Sequence, residues 1–145
     1  MGEAIRYKKK IVAVSGGFDP IHIGHVRMIR AASESGTRNV IIIANSDEWL
    51  MRKKGYVFMP YEERQEILYA IKGVVDVIEA EDGDDTVCKT LEKLKPDIFA
   101  NGGDRKDGNV PEYDVCNRLG IEMEFGVGGS DKPQSSSWLV NKLRK

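Results

Sequence analysis

Short apolar runs alternate with amphipathic segments along this chain, and this alternation limits the possible fold more than any other feature. Because strands that are apolar throughout must be covered on both faces, the pattern predicts a parallel sheet with helices on each side. The fold class is therefore α/β, with a five-stranded sheet in a single domain spanning residues 1–145. The predicted strands are Ile11–Ser15, Val40–Ala44, Val74–Ala80, Asp97–Asn101 and Ile121–Val127.

Helical periodicity fills most of the intervals between these strands. Glycines stop the first two helices, at Gly36 and Gly73. Residues 45–56 are interpreted instead as a loop after the second strand. The predicted helices are His22–Ser35, Tyr61–Lys72, Thr86–Leu94, Glu112–Leu119 and Ser135–Arg144.

Composition and charge argue against several classes of function. The chain has 22 Lys and Arg against 23 Asp and Glu, so its net charge of −1 lacks the basic footprint of a nucleic-acid-binding protein. No apolar run approaches the roughly 20 residues of a membrane span, and no apolar leader follows the basic N-terminus, so a cytoplasmic location is expected. Cys88 and Cys116 lack metal-site spacing and are interpreted as small core thiols in helices.

Four loops follow the carboxyl ends of the predicted strands, where open parallel sheets bind their ligands. Glycine, hydroxyl and cationic residues are frequent in these loops, which suits phosphate binding. In the first loop, Gly16 and Gly17 let the backbone approach an anion, although the segment fits neither GxGxxG nor GxxxxGK[ST]. His22 and His25 share one helix face behind it. Phosphate contact is favoured over metal ligation or a structural role, because no third ligand has suitable spacing.

The first loop carries a motif of a known family. The residues Gly16-Gly17-Phe18-Asp19-Pro20, followed by His22-Ile23-Gly24-His25, resemble the HxGH signature of cytidylyltransferase-like nucleotidyltransferases. The middle of the chain looks most like the nucleotidyltransferase domain of ADP-heptose synthases. Small cytidylyltransferases for glycerol 3-phosphate or phosphonates are the other near relatives. Further motifs follow in the family's order: Asn45-Ser46-Asp47, Lys54-Gly55, Pro60-Tyr61-Glu62-Glu63-Arg64, Asn101-Gly102-Gly103-Asp104 and Ser135-Ser136-Ser137.

The resemblance implies a Rossmann-like sheet and an enzyme that transfers a nucleoside monophosphate to a small phosphate- or phosphonate-bearing acceptor, releasing pyrophosphate. The acceptor oxygen would attack the α-phosphorus directly, with Mg²⁺ on the triphosphate. CMP from CTP is favoured. The alternatives are adenylyl transfer from ATP to a heptose-type phosphate, a non-catalytic nucleotide-binding module of the same fold, and an unrelated α/β domain. Neither nucleic acid nor membrane is expected as a partner, and a homodimer is expected from the resemblance only.

The resemblance also implies roles for individual residues. His22, His25, Lys54 and Arg64 are the candidate catalytic residues, with both histidines hydrogen-bonding the triphosphate. Asp19, Lys53, Lys54 and Arg64 are candidates for acceptor binding, and Asp104 for a contact with Mg²⁺. The candidate nucleotide-binding residues are Gly16, Gly17, Phe18, Asp19, Gly24, Asn101, Gly103, Asp104, Arg105, Ser135, Ser136 and Ser137.

Simpler interpretations stay open for several of these residues. Lys53 and Lys54 suit a solvated basic turn, and Arg64 suits a surface charge paired with a neighbouring glutamate. The loop after Asn101 could be a plain turn, and the three serines could simply cap the last helix. Val140 stands where many relatives have a basic residue, which leaves one phosphate contact in doubt.

Overall fold

The computed structural model describes residues 9–81, 83–84, 86–102, 110–128 and 136–143. Strands and helices alternate along them as predicted, except that two helices instead of one separate the second and third strands. The strands are β1 Lys10–Gly16, β2 Arg38–Ala44, β3 Val74–Glu79, β4 Ile98–Gly102 and β5 Glu122–Val127. The helices are α1 Ile23–Ala32, α2 Asp47–Lys54, α3 Tyr61–Tyr69, α4 Cys88–Leu94, α5 Tyr113–Leu119 and α6 Ser136–Leu143.

The five strands form one sheet in the order β3-β2-β1-β4-β5, and every neighbouring pair is parallel. This arrangement confirms the predicted five-stranded, Rossmann-like α/β fold. The direction of winding reverses between β1 and β4, and open sheets of this type bind ligands at such a switch point. The loops that follow β1 and β4 therefore flank the expected binding crevice.

Two apolar layers cover the sheet, one on each face. Val12 and Val14 of β1 pack in the same cluster as Ile29 of α1. Ala13, which lies between them, faces the other side and packs with Leu91 of α4. Alternate residues of a strand point to opposite faces, so β1 is buried on both sides, as its uninterrupted apolar sequence predicts.

Helix α2 is the main departure from the predicted elements, because residues 45–56 were interpreted as a loop. The hydroxyl of Ser46 accepts the Trp49 N–H at 3.0 Å and caps the start of this helix. Asp47 and Glu48 lie in its first turn, where acidic residues complement the helix dipole. Gly55 ends the helix with a φ of 80°, a left-handed conformation that favours glycine.

The boundaries of the predicted helices agree with the structure to within three residues. Helix α1 ends at Ala32 rather than Ser35, because Glu34 and Ser35 turn back with positive φ angles of 45° and 58°. The Ser33 hydroxyl donates a hydrogen bond to the Arg30 carbonyl and helps to close that end. None of the helices in the described ranges is long and apolar enough to cross a membrane.

The cysteines and the acidic residues form no metal site in the part of the chain that the structure describes. No group of three or more His, Cys, Asp or Glu is placed there to hold a metal ion. Cys116 lies in the core under β4 and β5, where burial raises the pKa of its thiol to about 11. Cys88 is half-buried at the start of α4. A core thiol is confirmed at Cys116.

Candidate active site

Three of the four candidate loops meet at the carboxyl edge of the sheet. The Asn45 N–H at the end of β2 donates to the Gly16 carbonyl at the end of β1, at 2.9 Å. The Ser136 hydroxyl, at the start of α6, donates to the Pro20 carbonyl at 2.8 Å. The second of these bonds joins residues that are 116 positions apart in the chain, so the start of α6 is held against the β1–α1 loop.

The two histidines are interlocked at the start of α1. Nδ1 of His22 accepts the Gly24 N–H at 3.0 Å, and Nδ1 of His25 accepts the His22 N–H at 3.2 Å. The rings stack with centroids 3.9 Å apart and an interplanar angle of 24°. Because each Nδ1 acts as an acceptor, each neutral ring carries its proton on Nε2. The Nδ1 edges of the two rings thus cap the helix, and the opposite edge of each ring carries an N–H donor at Nε2.

Burial keeps the His25 imidazole neutral. It lowers the pKa of His25 to about 3, with smaller contributions from the nearby charges of His22 and Lys54. Part of this burial comes from Phe18, whose ring meets the His25 ring edge-on at 4.9 Å. At neutral pH, His25 is consequently a hydrogen-bond donor through Nε2 and carries no charge. Such a group can hold a phosphate oxygen but is poorly suited to proton transfer near pH 7.

The depressed pKa of His25 predicts a loss of stability in acid. The unfolded chain has a His25 pKa near 6.5 and the folded chain one of about 3, so the unfolded state binds more protons between these values. The free energy of unfolding is therefore highest above pH 6.5. As the pH falls below that value, it decreases by up to about 1.4 kcal/mol per pH unit. Urea unfolding of the wild type and of His25→Asn between pH 4 and 7 would measure it. The wild type should lose more stability than the variant, and equal slopes would contradict the assignment.

Lys54 lies beside the histidine pair at the end of α2. It is half-buried, and this burial is the main reason why the pKa of its ammonium group is lowered. The charge of Arg64 lowers that pKa further, whereas the charge of Asp19 opposes the shift. Its charge also acts on His25. The interpretation as a solvated turn is therefore wrong for Lys54, which ends a helix. Lys53 is exposed on the same helix, and its predicted contact with the acceptor stays a prediction.

Arg64 of α3 is fully buried, so its interpretation as a surface charge paired with a neighbouring glutamate is wrong. It donates at 2.7–2.9 Å to four acceptors: the carbonyls of Met59, Gly17 and Asn45, and Oδ1 of Asp47. One side chain thereby joins the ends of β1 and β2 to the start of α2 and to the segment before α3. Its contact with a phosphate stays a prediction, since four of its five N–H groups already bind the protein.

Asp19 is also fully buried, and both of its carboxylate oxygens bind the segment before α3. Oδ2 accepts the Phe58 N–H at 2.7 Å, and Oδ1 accepts the Met59 N–H at 2.5 Å. Arg64 holds the Met59 carbonyl, so Asp19 and Arg64 fix residues 58–59 from the two sides of the peptide chain. The direct role of Asp19 in this structure is to position that segment.

Comparisons with known proteins agree with this geometry. A family model described as cytidylyltransferase-like matches residues 13–118. The chain belongs to the cytidylyltransferase-like family. It is therefore a nucleotidyltransferase, as the resemblance implied.

Two kinds of curated relatives are similar to this cytidylyltransferase-like chain. The FAD synthase of Pyrococcus abyssi is 39% identical over 78% of this chain and 76% of its own length. The FAD synthase of Ferroglobus placidus is 38% identical over 80% of this chain and 73% of its own length. The bifunctional protein HldE of Hahella chejuensis is 35% identical over 100% of this chain but only 30% of its own length. The chain thus matches less than a third of HldE.

A solved structure supports the fold. The lipopolysaccharide core biosynthesis protein of Thermoplasma volcanium superposes with a TM-score of 0.63, over 82% of this chain and 95% of its own. Its sequence is 24% identical, so the likeness shows the fold alone.

Packing explains the glycines of the family motif before any ligand is considered. A Cβ at Gly16 would lie 3.2 Å from the Phe18 ring, and one at Gly17 would lie 3.3 Å from a methyl of Leu50. Phe18 itself is 2% exposed, so its side chain belongs to the core under the histidines and is not available in the open loop. Any nucleotide contact by Phe18 would have to come from its backbone.

The remaining candidate residues are distributed as follows. Asn101 is buried at the end of β4, where its amide donates to the Glu124 carbonyl at 3.3 Å. Ser137 is exposed in the first turn of α6. Val140 is buried on the same helix, so that position packs against the protein and offers no charge to a phosphate. Gly103, Asp104, Arg105 and Ser135 lie outside the described residues.

Sequence reasoning missed two features of the site. Asp47 was quoted only as part of a motif, whereas the structure pairs it with Arg64 at 2.8 Å. Two apolar side chains near the loops are also unusually open, with Ile23 46% and Trp138 51% exposed. Helix signals around residues 46–55 could have located Asp47. Exposure depends on tertiary packing, and no local pattern reports it.

Proposed function

We propose that this nucleotidyltransferase transfers AMP from ATP to the phosphate group of a small phosphate monoester and releases pyrophosphate. One observation carries the proposal: the stacked rings of His22 and His25, whose Nδ1 atoms accept backbone N–H groups and whose Nε2 atoms are left to donate, lie beside the half-buried Lys54 after β1. Fixed donors and a cation at a topological switch point suit a polyphosphate whose charge shifts during reaction.

The chemistry needs no catalytic base from the protein. Above its second pKa, near 6, the acceptor phosphate is a dianion and already a nucleophile. One of its oxygens forms a bond to the α-phosphorus of ATP, and the bond from that phosphorus to the bridging oxygen breaks. The electron pair leaves with pyrophosphate. The Nε2–H groups of His22 and His25 stabilise the phosphate oxygens where negative charge accumulates, and Lys54 adds positive charge. Mg²⁺ enters as part of the substrate, on the triphosphate.

The relatives favour ATP over the CTP expected from sequence. FAD consists of AMP joined through a pyrophosphate linkage to flavin mononucleotide, so its synthesis by nucleotidyl transfer uses ATP. The ADP-heptose synthases that the middle of the chain resembles likewise form an AMP-containing product. Neither kind of relative supports a CMP product or a phosphonate acceptor.

Flavin mononucleotide is the first acceptor to test. This chain matches the FAD synthases over about three quarters of their length. The exposed aromatic side chains of Phe58 and Trp138 also suit contact with a flat ring system. Both are held near the first loop: Asp19 binds the backbone of Phe58. Trp138 lies two residues after Ser136, which donates to the Pro20 carbonyl. A sugar 1-phosphate is the second candidate, because the alignment with HldE extends over the whole chain.

The acceptor can be identified by product analysis. The protein would be incubated with Mg²⁺ and ATP and, separately, with flavin mononucleotide, a heptose 1-phosphate or glycerol 3-phosphate. Mass spectrometry would identify the product, and a coupled assay would count pyrophosphate. We expect one pyrophosphate per AMP-containing product with one of the first two acceptors. Formation of AMP without any acceptor-linked product would contradict nucleotidyl transfer to a phosphate monoester.

A further inference from the structure

A cavity lies at the amino ends of the strands, at the opposite edge of the sheet from the active site. It has a volume of about 730 Å³ and is lined where β1, β2 and β3 begin and by the turns that precede β2 and β3. All strands are parallel, so this edge is separated from the catalytic loops by the length of the sheet. A strand of seven residues spans about 23 Å. The cavity is therefore not part of the site described above.

The lining of this cavity is strongly basic. It contains no Asp or Glu, and its cationic residues are Lys9, Arg27, Arg30, Arg38 and Lys72. These five cations are gathered in one place on a chain whose net charge is −1. Such a local field attracts anions even though the whole protein is close to neutral.

Arg38 differs from the other four cations because the protein neutralises it. Both of its terminal nitrogens bind the Glu124 carboxylate at 2.9 Å, and Glu34 lies 3.2 Å away. Lys9, Arg27, Arg30 and Lys72 are exposed and form no ion pair with any residue in the described ranges. Four positive charges consequently face this cavity without a counterion from that part of the chain.

Helix dipoles explain only part of this cluster. Arg30 lies in the last turn of α1, where a cation complements the negative end of the helix. Arg27 lies in the middle of α1, and Lys9 precedes a strand, so the dipole, which acts within the last turn, accounts for neither. The two turns that form part of the lining also approach closely, since a Cβ at Gly73 would lie 3.0 Å from that of Ser33.

We propose that this basic cavity binds a small anion with two or more phosphate groups. Its volume lies within the range of about 300–1,000 Å³ that is usual for small-molecule sites. The four cations other than Arg38 come from three separate segments of the chain, so one orthophosphate would engage only some of them, whereas a chain of phosphates reaches several. Arginine forks bind phosphate in a bidentate manner, and lysine adds point charge. The proposal does not rest on which reaction the active site performs.

Amide NMR can locate this binding, with inorganic tripolyphosphate as the probe. Tripolyphosphate added to ¹⁵N-labelled protein should shift the amides of Gly36 and Gly73 in a saturable way, whereas binding at the catalytic loops would be reported by His22 and Gly24. In Arg27→Ala/Lys72→Ala, we expect the affinity measured at Gly36 and Gly73 to fall by at least about tenfold. Both side chains are exposed, so the variant should fold as the wild type does.

The matched control is Lys93→Ala/Arg118→Ala, which removes the same two types of charge from exposed ion pairs elsewhere. It should bind tripolyphosphate at Gly36 and Gly73 as the wild type does. Three results would overturn the proposal: shifts confined to the catalytic loops, an equal loss of affinity in both double variants, or tighter binding of a single-stranded oligonucleotide than of tripolyphosphate at these glycines.

Discussion

We expect His22→Asn to lower kcat by about 100- to 1,000-fold while the protein stays folded, because the substitution separates the helix cap made by His22 from the phosphate contact that we propose for it. Asparagine is a good N-cap residue and can accept the Gly24 N–H as Nδ1 of His22 does at 3.0 Å. It cannot replace the Nε2–H on the far edge of the ring. Losing one donor that stabilises developing charge typically costs this much in rate. Steady-state kinetics with ATP and the identified acceptor would measure it.

Stability measurements on the same variant distinguish catalysis from folding. The free energy of unfolding should change by no more than about 1 kcal/mol, since a cap is exchanged and not removed. Thr86→Asn is a suitable control, because the Thr86 hydroxyl accepts the Cys88 N–H at the start of α4, away from the histidines. That control should keep full activity. Wild-type kcat in His22→Asn would show that the imidazole does not bind the reacting phosphates.

Arg64→Met should destabilise the protein by about 3–5 kcal/mol, as expected when one partner of a buried ionic network is removed. The methionine fills similar space but leaves the carbonyls of Gly17, Asn45 and Met59 without their donors. The Asp47 side chain is 47% exposed, so water can replace its share of the interaction. Most of the loss should therefore come from the buried carbonyls. Urea unfolding at neutral pH would measure it.

Arg118→Met is the matched control, because Arg118 pairs with Glu92 on the surface and its side chain is 60% exposed. Its free energy of unfolding should change by less than about 1 kcal/mol. Should Arg64→Met fail to fold, Arg64→Lys keeps the charge but not the fork, and it should retain part of the stability. A variant of Arg64 with wild-type stability and greatly reduced kcat would contradict a positioning role and support direct phosphate contact.

The sequence predicted the fold well because the strongest signals are local. The β1 run is apolar without interruption, so its burial on both faces follows directly. Helix α2 was missed although Ser46 and Gly55 mark its two ends, because only Leu50 is buried among its eight residues and the apolar periodicity is weak. Capping signals alone would have located it.

Sequence reasoning anticipated part of the geometry of the candidate site but not its internal contacts. The spacing of His22 and His25 placed them on one helix face, and the structure shows that they also cap that helix together. Arg64 was expected either at a phosphate or on the surface, since an arginine beside two glutamates usually faces solvent. Two of its three carbonyl partners, Gly17 and Asn45, come from distant segments, and only the tertiary fold brings these to Arg64.

The central claim, AMP transfer from ATP, is tested most directly by a competition between nucleotides. Equal concentrations of ATP and CTP, with Mg²⁺ and the candidate acceptors, would be incubated with the protein, and the nucleoside in the acceptor-linked product would be identified by mass. The predicted result is an AMP-containing product, with pyrophosphate formed in equal amount. A product that contains CMP, or no acceptor-linked product with any of the acceptors, would contradict the claim.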